Sequence, residues 1–129
     1  MSSESTTTAV VLIGDGIFFK PASDAISATV TKKEDLSSCL DTKAEKSSID
    51  SFHLIMQSSS IATLFDPEAI QAFVPLFRPN AEIFVHLMGN PGEEDVDTIK
   101  MALVLANIRI EGIQNGEGGA QILAAKLVQ

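Results

Sequence analysis

Residues 9–14 read Ala-Val-Val-Leu-Ile-Gly, an unbroken apolar run rich in β-branched side chains that halts at Gly14-Asp15-Gly16. A short run with no polar face suits a strand buried on both sides in a parallel sheet. The Gly-Asp-Gly turn ends it. A parallel strand cannot reach its neighbour through a tight turn and needs a longer crossover, usually a helix. This segment therefore commits the chain to strands alternating with helices.

The remaining segments follow that alternation. Ile26–Thr31 alternates apolar and hydroxyl side chains and reads as a weak strand. Thr31-Lys32-Lys33-Glu34 matches a capping box, and Leu36, Cys39, Leu40 and Ala44 follow at helical spacing, predicting a helix over Lys33–Glu45 with Cys39 facing the core. Ser51–Gln57 is a third strand. Asp66-Pro67-Glu68 is a helix start, with Asp66 as N-cap, and Ile70, Phe73, Val74 and Phe77 carry its apolar stripe. Pro75 should kink or shorten its last turn, and Arg78-Pro79-Asn80 should end the element. Ala81–Leu87 is a fourth strand. Asn90-Pro91 opens a third helix, with Val96, Ile99, Met101, Leu103, Val104 and Ala106 as a broad apolar face. Two strands close the chain, Arg109–Gln114 and Ala120–Val128, around the glycine-rich turn Asn115–Gly119. That connection is too short for a parallel crossover, so the pair is an antiparallel hairpin. The expectation is one α/β domain over 9–129, a mostly parallel doubly wound sheet ending in a hairpin. The polar segment Met1–Thr8 is expected to be a frayed tail.

Composition narrows the function. The net charge of −8, with nine Lys and Arg among 129 residues, leaves no basic patch for phosphate backbones or anionic membranes. An acidic surface of this kind can steer a basic protein partner. One cysteine, Cys39, makes neither an internal disulfide nor a cysteine metal cluster and is consistent with a reducing cytosol. The start lacks the basic and apolar regions of a secretory signal. No apolar stretch reaches the roughly 18 residues of a membrane helix.

Several strings carry a resemblance. AVVLIGDG (Ala9–Gly16) is similar to the first strand and glycine loop of class I methyltransferases. SFHLIMQSSS (Ser51–Ser60) with Asp66–Leu87 resembles their fourth strand, helix and fifth strand. Leu76-Phe77-Arg78-Pro79-Asn80 resembles their leader-arginine-proline-glycine-glycine turn, with Asn80 and Ala81 in place of the glycines. MALVLANIRIEGIQ (Met101–Gln114) resembles their late helix and sixth strand. Within that superfamily, the shortened front half, SSIDSFHLIM (Ser47–Met56) and PLFRPNAEIFVHL (Pro75–Leu87) resemble the N-terminal domain of anamorsins. The resemblance covers about Ala9 to Val128. It implies a cytoplasmic, non-catalytic protein-interaction domain that docks a diflavin reductase in electron transfer for cytosolic iron–sulfur protein assembly. In that family the iron–sulfur clusters sit on a cysteine-rich tail absent from this sequence, so the chain itself is expected to hold no cofactor. A scaffold domain of an unrelated assembly is a further possibility.

The competing class is a small S-adenosylmethionine-dependent methyltransferase, with Gly14, Asp15 and Gly16 in the cofactor loop. Glycines after the first strand would let the backbone approach a ligand. Against this, Ile17-Phe18-Phe19 follow directly, a third glycine is missing, and a plain turn is favoured. Glu34 or Asp35 could bind ribose hydroxyls after the second strand, but Glu34 is already used by the capping box. His53 and His86, both in strands, have no neighbouring motif to orient them as bases and no ligand spacing for a metal. They read as locally hydrogen-bonded strand histidines. Ser58–Ser60 read as a polar loop without a nucleophile elbow. Asn115–Gly119 reads as a flexible hairpin turn, because it lacks the lysine and following helix of a phosphate loop. Glu93, Glu94, Asp95 and Asp97 read as dipole complements at a helix start, with a docking patch for a basic partner as the second reading.

Overall fold

The computed structural model describes residues 7–14, 25–41 and 44–127. The segments 1–6 and 15–24, which include Asp15, Gly16, the Ile17-Phe18-Phe19 run and Pro21, lie outside the described residues, as does Val128. Six strands form one sheet: β1 (Thr8–Ile13), β2 (Ile26–Val30), β3 (Ile49–Gln57), β4 (Phe77–Met88), β5 (Ile108–Asn115) and β6 (Gln121–Leu127). Their order is β2-β1-β3-β4-β6-β5. The first four are parallel, while β6 pairs antiparallel with both β4 and β5. The expected hairpin is present, and its second strand returns into the gap between β4 and β5. Thr8 opens β1 one residue before the expected boundary. Thr7, assigned to the tail, is tied to the sheet: its N–H donates to Asp50 Oδ2 at 2.8 Å.

Alternation along each strand splits the sheet into two faces. Val11, Leu54 and Val85 sit in register across β1, β3 and β4, and Leu123 of β6 continues the row. All four are fully buried in one apolar cluster with α1 (Ile61–Leu64), α2 (Pro67–Phe73) and α3 (Glu93–Leu105). Phe52 is 1 % exposed and packs its ring against Phe73 and Phe77, at centroid separations of 5.1 and 5.2 Å. Such tilted aromatic pairs add to the area they bury. The opposite face carries Val10, His53, Ile55, Phe84 and His86. The β1–β2 connection runs through 15–24.

Helix α2 starts as expected. The Asp66 side chain accepts from the Glu68 N–H at 3.1 Å, and Pro67 occupies the first turn. Pro75 ends the α-helical hydrogen bonding at Phe73, leaving one 3₁₀ turn over Val74–Leu76. The freed carbonyls of Pro75 and Leu76 accept from Ser47 and Ser48, at 3.0 and 2.9 Å. Arg78-Pro79-Asn80 falls inside β4 rather than before it. Ile49 pairs with Phe77 and Ser51 with Glu82, so the three residues are extruded from the ladder. Asn80 sits at φ +66°, the left-handed conformation that asparagine tolerates, where the resembled turn has glycine.

Two other expectations are corrected. The helix over Lys33–Glu45 is a 3₁₀ turn at Lys33–Asp35 followed by turns to Asp41, and no side chain caps it. Ser37, Ser38 and Asp41 are weak helix formers that favour local hydrogen bonds. Leu36 and Leu40 still reach the core, and Cys39 packs half-buried against it. The apolar face of α3 is narrower than expected: Val96, Ile99, Ala102 and Leu103 are buried, but Met101 and Val104 are 61 % and 59 % exposed. At 100° per residue they fall off the stripe defined by 96, 99 and 103. The helix begins at Glu93, after Asn90-Pro91, with the Gly92 N–H donating to Asp95 Oδ2 at 3.0 Å.

Candidate functional site

Open α/β sheets bind ligands at the carboxyl ends of their strands, where the strand order reverses. Here β1 is flanked by β2 on one side and β3 on the other, so that point lies between Gly14 and the segment after Gln57. Gly14 adopts φ +101° and its N–H donates to Val30 O at 2.8 Å. Two side chains stand close to it on the side a Cβ would occupy. A Cβ built on Gly14 would stand 3.2 Å from Ser60 Oγ and 3.7 Å from the Leu64 side chain. Ser58–Ser60 form a 3₁₀ turn running into α1, and this turn brings Ser60 and Leu64 onto the glycine. Ser58 Oγ donates to Gly89 O at 3.0 Å, clamping the ends of β3 and β4 together. Ser58 thus bonds the backbone at the end of β4 rather than that of its own loop. Asp15 and Gly16 lie outside the described residues, so Gly14 alone represents the glycine loop.

Glu34 and Asp35 are exposed on the 3₁₀ turn after β2. Glu93, Glu94 and Asp97 lie exposed on the first turns of α3. At the tip of the hairpin, Gly118 and Gly119 adopt positive φ, and a Cβ on Gly119 would overlap the side-chain amide of Asn90. That turn is packed against the start of α3 rather than free. Among the described residues no polar side chain is buried in the core, and no three His, Cys, Asp or Glu side chains cluster as metal ligands.

One constellation escapes a reading by segments. His53 of β3 and His86 of β4 meet on the sheet face opposite the core cluster, with His53 Nδ1 and His86 Nε2 3.1 Å apart in a shared hydrogen bond. Parallel register brings them together: His53 pairs with Phe84 and Ile55 with His86, so the histidines are diagonal neighbours. The His53 ring stacks on Phe84 at a centroid distance of 4.9 Å. Burial pushes the His86 pKa down to about 4, with a smaller contribution from His53. Burial also lowers His53, partly opposed by Glu82. At neutral pH both rings are uncharged, and one donates to the other.

Two cavities lie elsewhere. The larger, about 630 Å³, is lined by Val74, Val104, Ile108, Ile110 and Leu127 among others, at the N-terminal end of the parallel strands and away from Gly14. The smaller, about 300 Å³, lies between the first turns of α3 and Gln121.

No protein-family model matches the chain, and no curated protein sequence does. Solved structures do. A SAM-dependent methyltransferase from Aquifex aeolicus superposes with a TM-score of 0.57 at 11 % identity, covering 93 % of this chain and 82 % of its own. The antibiotic-resistance methyltransferase Kmr gives 0.54 at 15 % identity, covering 81 % of this chain and 60 % of its own. The Thermus thermophilus 16S rRNA N2 G1207 methyltransferase RsmC gives 0.52 at 12 % identity, covering all of this chain and 37 % of its own. The chain thus spans about 60 % of the length of Kmr. The chain has the fold of S-adenosylmethionine-dependent methyltransferases; likeness at this identity shows the fold alone. Nothing in the comparisons links it to anamorsins.

Proposed function

We propose that the chain is a non-catalytic protein-interaction domain built on the methyltransferase-like sheet. The observation that carries this reading is the packing of Ser60 and Leu64 against Gly14, in the crevice where a cofactor would approach the backbone. The finer reading is an anamorsin-like cytoplasmic domain that docks a diflavin reductase and serves electron transfer in cytosolic iron–sulfur protein assembly. It is supported by the resemblance of Ser47–Met56 and Pro75–Leu87, and by an acidic balance suited to a basic partner surface. Clusters would belong to a cysteine-rich tail elsewhere in a parent protein. Sedimentation of the chain with a diflavin reductase tests the docking. A complex that weakens with added salt is expected, and no association at tens of micromolar would end this finer reading.

The second reading, a small S-adenosylmethionine-dependent methyltransferase with Gly14, Asp15 and Gly16 in the cofactor loop, is favoured by the activities of the structural neighbours. The two readings part on cofactor binding.

A further inference from the structure

We propose that His53 and His86 form a two-imidazole chelate for a zinc ion, with solvent completing the coordination shell. They are the only two histidines in the sequence, and the central parallel pair β3–β4 holds their ring nitrogens 3.1 Å apart. Two imidazoles bound to one tetrahedral zinc at about 2.0–2.1 Å place their nitrogens roughly 3.3 Å apart. The spacing is therefore close to that of adjacent ligands on one ion. Both strands are interior to the sheet, and Phe84 stacks on His53, so the pair is preorganised. Both rings are half-buried, which leaves one side open to water.

The surroundings suit nitrogen ligation. In register with His53 and His86 stand Val10 of β1 and Ile122 of β6, both uncharged; on the same face of β4 the nearest charge is Glu82, opposite Lys126 of β6. Imidazole ligands select zinc-class ions over magnesium or calcium. Zinc binds imidazole in its neutral form. On binding, His53 Nδ1 and His86 Nε2 both become ligands, and the proton in their shared hydrogen bond moves to the other nitrogen of its own ring. No proton is lost and no redox change occurs.

Calorimetric titration of the chain with zinc chloride at neutral pH tests the site, beside the His53→Gln and His86→Gln variants with their folding checked by circular dichroism. One zinc per chain is expected, with affinity reduced by more than about tenfold in either variant. Long-range proton–nitrogen NMR of the unmodified chain gives a readout that does not depend on the variants folding. Zinc should shift His53 Nδ1 and His86 Nε2 selectively. No zinc binding at hundreds of micromolar, binding that survives both substitutions, or unmoved ring nitrogens would each overturn the proposal.

Discussion

His86 shows how far a fold can move one side chain. Its pKa of about 4 lies below the 6.5 of an exposed histidine, so between those values the unfolded chain binds a proton that the folded chain refuses. Stability therefore rises with pH through this window: it is complete above about 6.5 and declines as pH falls toward 4. The lowered pKa of His53 acts in the same direction. Allowing for solvent screening of a half-buried ring, the expected loss between pH 7.5 and pH 4.5 is about 1 to 2 kcal/mol. Urea denaturation at the two pH values should show that loss, and the His86→Gln variant should lose less. An equal loss in the variant would assign the pH dependence to other groups.

At the scale of elements, the hairpin and α3 meet where Gly119 lies against Asn90. Gly119 at φ +82° has no room for a Cβ on that side. Gly119→Ala should cost about 1 to 3 kcal/mol by strain and overlap together, read as a lower thermal midpoint. An unchanged midpoint would contradict both the strain and the overlap. This junction also marks where the sequence stopped being legible. Asn115–Gly119 was readable as a turn, but its docking on Asn90 is a long-range contact without a local signature. The strands, the α2 cap and the stop at Pro75 were legible because each rests on nearest-neighbour chemistry. The helix expected over Lys33–Glu45 was not, because Leu36 and Leu40 reach the core equally well from a 3₁₀ turn and loop. The histidine pair left a partial trace. His53 and His86 both sit out of phase with the core residues of their strands, but their meeting depends on a register that no local pattern specifies.

The whole molecule has the methyltransferase-like strand order with Ser60 and Leu64 seated against its first glycine. Fold and activity are separable, since a sheet of this kind hosts many functions and the site decides among them. The order of elements was legible from the alternation of apolar runs; the approach of Ser60 and Leu64 to Gly14 was not, because it depends on where the short turn after β3 comes to rest. The most direct test of the account is calorimetric titration of the chain with S-adenosylmethionine, paired with a thermal-shift measurement. A functional site would stabilise the fold by about 2.7 kcal/mol at a hundred times the dissociation constant. The account predicts no heat and no shift at millimolar ligand. A saturable heat with a raised melting temperature would contradict it and make the loop at Gly14 a working cofactor site.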